Sequence, residues 1–314
     1  MPAGCRKVGK IAFVFAGQGA QYSGMGKELY EASPAARRIF DMAEAIRPGT
    51  LRMCFEGSAE ELAITENTQP CLFTVSTACA AAAVEKGILP DMCAGFSLGE
   101  TVAAAFTSML PFEKAFAFVQ ERALLMQACA DAQPGFMAAV LRLDNDQVTA
   151  LCRQFEHVYP VNFNCPGQVV VSGAAGQKDA FLQAVGGLGG RAMPLKVGGA
   201  FHSPLMSDAA QKLHTWLQDS GLQTPNIPLY ANRTALPYGD DIIELLSGQV
   251  DHPVLWEQTV RNMGSKGADL FVELGPGTVL SGLVRKILPE ATVCHVENTA
   301  SLIEAAAIME GRSA

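Results

Sequence analysis

The sequence lacks any cationic stripe: 23 Lys and Arg stand against 31 Asp and Glu, the net charge is −8, and the basic residues are scattered. Nucleic-acid binding needs clustered positive charge, so a nucleic-acid partner is not expected. No apolar run approaches the roughly 18 residues of a membrane span, so no membrane association is expected either. The run at residues 11–16, preceded by Arg6, Lys7 and Lys10, stops at Gly17; it is too short for a signal peptide and reads as a first strand. Cys-x-x-Cys is absent. The nine cysteines stand singly, at Cys5, Cys54, Cys71, Cys79, Cys93, Cys129, Cys152, Cys165 and Cys294, which argues against a zinc site or disulfide framework and for reduced thiols in the cytoplasm. Both glycine-rich phosphate loops are missing too. In Gly17-Gln18-Gly19-Ala20-Gln21, Tyr22 takes the place of the third dinucleotide-loop glycine, and Met25 follows Gly24 where a P-loop needs lysine. That turn is left with exposed N–H groups and two amide side chains, suited to lining an acyl site.

What is present describes a large soluble core: 49% of residues are apolar and 17% charged. At 314 residues the chain exceeds the usual single core, so a large domain carrying a smaller one is expected.

The chemistry centres on residues 92–100. Gly95-Phe96-Ser97-Leu98-Gly99 spells Gly-x-Ser-x-Gly between a short apolar run and an Ala-rich helical stretch, the setting of a nucleophile elbow. So tight a turn crowds any Cβ at its flanks, hence the two glycines, and leaves Ser97 at the apex beside the first N–H groups of the helix, which can stabilise an oxyanion. The same residues allow a blander reading: Ser97 with Glu100 three residues on is also a capping box.

Other segments fall around this one. Pro70 is expected to open a long helix ending near Gly87, and Pro111 the next. On that second helix Arg122 projects along a face otherwise made of Phe118, Val119, Leu125 and Met126. A buried guanidinium is costly unless it meets an anion, an internal carboxylate, or reaches the surface. From 136 to 197 the pattern reads β-α-β-β-α-β, with a capping box at Asp144-Asn145-Asp146-Gln147 and a turn at Pro166-Gly167, which is the ferredoxin-like arrangement. We assign it to an inserted domain at 133–198, with 1–132 and 199–314 forming the larger one. Strands at 227–231, 270–274 and 292–296 alternate with helices, giving a mainly parallel sheet. Of the five histidines, His202, on a loop after a glycine pair, is best placed as a base for Ser97; His295 is second, ahead of His157, His214 and His252.

Taken in order, the 17–21 turn, the elbow with Glu100, Gln120-Glu121-Arg122, Asn162 to Gln168, Gly199-Ala200-Phe201-His202-Ser203-Pro204 and Glu273-Leu274-Gly275-Pro276-Gly277 resemble the malonyl-CoA:acyl carrier protein transacylases. The match runs from about residue 11 to 297. The resemblance implies an α/β-hydrolase-like core with a ferredoxin-like insertion. It implies Ser97 as the acylated nucleophile, His202 as its base oriented by a main-chain carbonyl at Gln249, and N–H groups of Gln18 and Leu98 as the oxyanion hole. It also implies Arg122 as the holder of the malonyl carboxylate, substrate contacts at Gln168 and Phe201, and Phe201 as the residue that accompanies malonyl selectivity. Malonyl-CoA is then a substrate, an acyl carrier protein the partner, and no metal or bound cofactor is needed. Phe96 departs from the family, which usually has histidine before the nucleophile. An acyl hydrolase or esterase, a trans-acting polyketide acyltransferase and a non-catalytic carrier-docking module are the other readings.

Overall fold

The computed structural model describes residues 9–313; Cys5, Arg6 and Lys7 lie outside them. β1 (Lys10–Phe15) is followed by four short helices, α1 (Lys27–Ala32), α2 (Pro34–Ile46), α3 (Thr50–Glu56) and α4 (Ala59–Ala63), and then by the long α5 (Thr65–Glu85). β2 (Met92–Gly95), α6 (Leu98–Phe106) and α7 (Phe112–Ala132) complete the first part of the chain. The middle part holds β3 (Gly135–Leu141), α8 (Asn145–Cys152), β4 (Val158–Cys165), β5 (Gln168–Ala174), α9 (Lys178–Gly187) and β6 (Arg191–Pro194). The chain then returns through α10 (Ser207–Gln218), β7 (Leu229–Tyr230), α11 (Ile242–Ser247), α12 (Trp256–Ser265), β8 (Ala268–Leu274), α13 (Val279–Ile287), β9 (Thr292–Val296) and α14 (Thr299–Ser313).

The larger sheet has the order β7-β2-β1-β8-β9, with every pairing parallel. Parallel strands are covered on both faces, and β1 shows why its sequence is an unbroken apolar run. Phe13 and Phe15 point into the cluster containing Phe73, while Ala12 and Val14 point into the one containing Trp256 and Phe271. The smaller sheet is antiparallel, β4-β5-β3-β6, the ferredoxin-like order. Phe136, Ala138 and Val140 of β3 pack against Val148 of α8 and Phe181 of α9. The alternate residue Met137 faces the main core instead.

The smaller sheet is tied to the segment just before α12. β4 slips register between Pro160 and Asn162, and there it pairs with residue 254 of the large domain: Phe163 N–H donates to Val254 O at 3.0 Å and Val254 N–H to Val161 O at 2.8 Å.

Two sequence expectations need correction. α5 begins at Thr65, so Pro70 lies inside it and not at its start; nearly every residue from Thr68 to Ala83 is buried, and this packing offsets the lost hydrogen bond. β6 ends at Pro194, leaving 195–199 as a loop. Among the described residues, no helix is long and apolar enough to cross a membrane.

Candidate active site

The elbow forms because its two glycines leave no alternative packing. A Cβ on Gly95 would lie 1.9 Å from the Gly99 carbonyl carbon, and one on Gly99 would lie 2.1 Å from Phe15 O. Between them Ser97 is held at φ 54°, ψ −109°, a strained conformation for a residue with a side chain. Its hydroxyl does not cap α6, so the capping-box reading fails. Instead Ser97 Oγ lies 2.7 Å from His202 Nε2.

His202 is 4% exposed and also sits at positive φ, 61°. Its N–H donates to Val250 O, and Nδ1 lies 2.7 Å from Gln249 O, on a short 3₁₀ turn at Gly248–Val250. A carbonyl oxygen only accepts, so Nδ1 carries the hydrogen and Nε2 is free to take the serine proton. Burial, then the Arg122 charge, pushes the imidazole down to about 4, so it is a neutral base at pH 7. His295 is not an alternative: it lies on β9, 3.6 Å from Glu297.

In the turn, Gly99 and Glu100 donate backwards to Phe96 and Ser97, and Ser97 N–H donates to Asn232 Oδ1 at 2.7 Å. Leu98, the first residue of α6, thus presents an N–H with no internal acceptor among the described residues.

Arg122 reaches the serine from α7. At 1% exposure, its Nη1 donates to Gln69 Oε1 (2.8 Å), and its Nη2 to Gln249 Oε1 (2.6 Å) and Ser97 Oγ (3.1 Å). Its Nε has no acceptor. Burial brings the guanidinium down to about 10, which leaves it cationic at neutral pH. It neither snorkels nor forms a salt bridge with a carboxylate among the described residues; its charge is met by the amide oxygens of Gln69 and Gln249 and, at longer range, by the Glu100 carboxyl.

A cavity of about 480 Å³ opens over Ser97 and His202, lined among others by Gln18, Phe96, Met126, Met137, Asn162, Val197 and Phe201; Arg122 and Leu98 lie behind Ser97 and are not part of its lining. Gln18 and Phe201 thus share one cavity with Ser97 and His202. Phe96 lines the same space and packs edge-on against Trp256, centroids 5.5 Å apart. Gln168 does not line it: it lies beyond the Pro166-Gly167 turn, opposite Leu141 and Cys165. The register slip in β4 brings Asn162 to the cavity from that motif instead.

Sequence reasoning also missed Gln69, Asn232 and Glu100 as supports. Glu100 carried a readable signal, a carboxylate within an apolar helix; it is fully buried and accepts from Tyr238, Asn232 and Gln249. Asn232, two residues beyond β7, carried none.

A strained serine, a neutral imidazole beside it, the free N–H of Leu98 and a buried cation define a serine acyl-transfer enzyme. The acyl transferase domain model matches residues 12–306. Malonyl CoA-acyl carrier protein transacylase of Bacillus subtilis (strain 168) is 43% identical over 286 residues, covering 88% of this chain and 90% of that one. Its namesake in Synechocystis sp. is 34% identical over 289 residues, covering 91% and 97%. Among solved structures, the malonyl CoA-acyl carrier protein transacylase from Clostridium perfringens superposes with a TM-score of 0.93 at 34% identity, covering 97% and 98% of the two chains. A malonyl-transacylase solved with its type II PKS acyl-carrier protein gives 0.92 at 34% identity, covering 95% and 99%. The chain belongs to the malonyl CoA-acyl carrier protein transacylase family.

Proposed function

We propose that this chain moves a malonyl group from malonyl-CoA to the phosphopantetheine thiol of an acyl carrier protein, supplying chain elongation in fatty acid or polyketide assembly. One observation carries the choice of acyl group: the buried Arg122 guanidinium, 3.1 Å from Ser97 Oγ and in no salt bridge among the described residues. A planar fork at that distance fits the free carboxylate of malonate.

Ser97 Oγ attacks the thioester carbonyl as its proton passes to His202 Nε2, and the oxyanion is met by the N–H groups of Leu98 and Gln18. The C–S bond breaks, and the coenzyme A sulfur takes the proton from His202, leaving a malonyl-serine ester. The carrier thiol then gives its proton to His202 and attacks the ester, and Ser97 recovers its hydrogen. Malonyl-CoA enters as substrate and coenzyme A leaves as product, and every proton step runs through His202. The eight described cysteines are all free, which fits a cytoplasmic enzyme.

Intact mass after incubation with malonyl-CoA tests this reading. Wild type should gain a malonyl adduct that Ser97→Ala does not, and a carrier protein should discharge it far faster than water does. An adduct persisting in Ser97→Ala, or discharge that ignores the carrier, refutes it.

A further inference from the structure

Glu100 is a carboxylate in the first turn of α6, fully buried and in no salt bridge among the described residues, although the Arg122 charge lies near enough to act on it. Its Oε1 accepts from Asn232 N–H (2.9 Å) and Tyr238 O–H (2.7 Å), and its Oε2 from Gln249 Nε2 (2.7 Å). The Asn232 N–H and the Gln249 NH₂ can only donate, one to each oxygen, so both oxygens must accept; the Tyr238 hydroxyl can also accept, which leaves room for a proton on Oε1 when the group is neutral.

The demand propagates. Gln249 spends its two amide hydrogens on Glu100 Oε2 and on Ser97 O (2.8 Å), which leaves Oε1 to accept from Arg122 Nη2 at 2.6 Å. Turned over, the amide would set an NH₂ against a guanidinium and an oxygen against two oxygens, losing all three contacts. Asn232 works in parallel: its N–H is held by Glu100, its Oδ1 takes Ser97 N–H at 2.7 Å, and its Nδ2 donates to Gly95 O at 2.5 Å. Both main-chain polar groups of the strained serine are thus gripped by amides anchored on one carboxylate.

We infer that Glu100 is a positioning residue whose carboxylate sets the orientation of the Gln249 amide, and through it aims Arg122 at the substrate carboxylate while bracing Ser97. The inference rests on the malonyl-transfer reading. Glu100→Gln keeps the shape but turns one oxygen into an NH₂ that must face a donor, and rotation of the Gln249 amide is the simplest relief. Arg122 then loses its acceptor.

The test is kcat/KM for malonyl and acetyl transfer to a carrier protein. In Glu100→Gln the malonyl value should fall roughly 10- to 100-fold, the loss of a charge-assisted hydrogen bond, and the acetyl value several-fold less. Gln249→Leu keeps the main-chain carbonyl under His202 and should show the same fall in the malonyl-to-acetyl ratio. Tyr238→Phe leaves the Gln249 contact in place and should keep the wild-type ratio. Burial pushes Glu100 up to about 7, with Tyr238 and Arg122 the ionisable groups that act on it. The wild-type ratio should therefore drop as pH is lowered through 7, and the Glu100→Gln ratio should stay flat. Equal losses for both acyl groups, or an unchanged ratio, in Glu100→Gln and Gln249→Leu would overturn the inference. If Glu100→Gln does not fold, Gln249→Leu decides alone. A wild type that forms no malonyl-serine refutes the malonyl reading; one that forms it while the variants keep the wild-type ratio refutes only the role of Glu100.

Discussion

At the scale of the residue, the site is a set of buried polar groups that largely satisfy one another, and the positive charge of Arg122, in no salt bridge among the described residues, stands out from them. Removing a buried charged partner typically costs about 2–5 kcal/mol when the other charge is desolvated. Arg122→Ala should therefore lose malonyl transfer by roughly two orders of magnitude or more while acetyl transfer is spared; comparable losses for both acyl groups would make the residue structural. Phe96 acts on shape alone. Its ring lines the cavity and is fixed by Trp256, and Phe201 faces the same space. A methyl group is worth about 1–3 kcal/mol in such a pocket, so malonyl should be preferred over methylmalonyl by roughly tens to hundreds of fold. Phe96→His should alter the rate more than that preference. Direct competition between the two thioesters, with wild type and variant, measures both; a wild type that prefers methylmalonyl would show the substrate assignment to be wrong.

At the scale of the element, legibility followed how local each signal was. The Gly-x-Ser-x-Gly elbow, the β-α-β-β-α-β run and the Asp144 capping box were readable because turn chemistry and periodicity act within a few residues. Arg122 was readable as a misfit, and so was Glu100, although the nearby serine made a capping box the easier interpretation. Helices α2 and α4 went unassigned even though Ser33-Pro34 and the Ser58–Glu61 capping box announce them. The start of α5 was misplaced because Pro70 looked like a first-turn proline; only tertiary burial of the whole helix shows otherwise. Register slips such as that in β4, which carries Asn162 to the cavity in place of Gln168, depend on the partner strand and leave no local trace. The elbow itself makes a firm prediction. Gly99→Ala sets a Cβ against the β1 carbonyl of Phe15, so the turn must open and both stability and acylation should collapse together. A folded, fully active Gly99→Ala protein, judged by thermal melting and adduct formation, would mean that the elbow is not so tightly built.

At the scale of the whole molecule, the buried base and the buried carboxylate pull stability in opposite directions with pH. His202 falls from 6.5 unfolded to about 4 folded, so between those values the unfolded chain binds the extra proton and stability rises with pH. Glu100 climbs from 4.5 to about 7, so across that interval the folded chain keeps a proton the unfolded chain gives up, and stability falls as pH rises. Each slope approaches about 1.4 kcal/mol per pH unit, one proton's worth. The two windows overlap from about 4.5 to 6.5, and there the contributions cancel. Removing either group should unmask the other. Relative to wild type, Glu100→Gln should gain stability as pH rises from 4.5 to 7, while His202→Ala should lose it between 4 and 6.5. Urea midpoints taken across this range for the three proteins measure the differences, and other titrating groups common to all three drop out. Parallel curves would mean that neither group is buried in the ionisation state assigned to it, and the neutral imidazole on which the acyl-transfer chemistry depends would lose its footing.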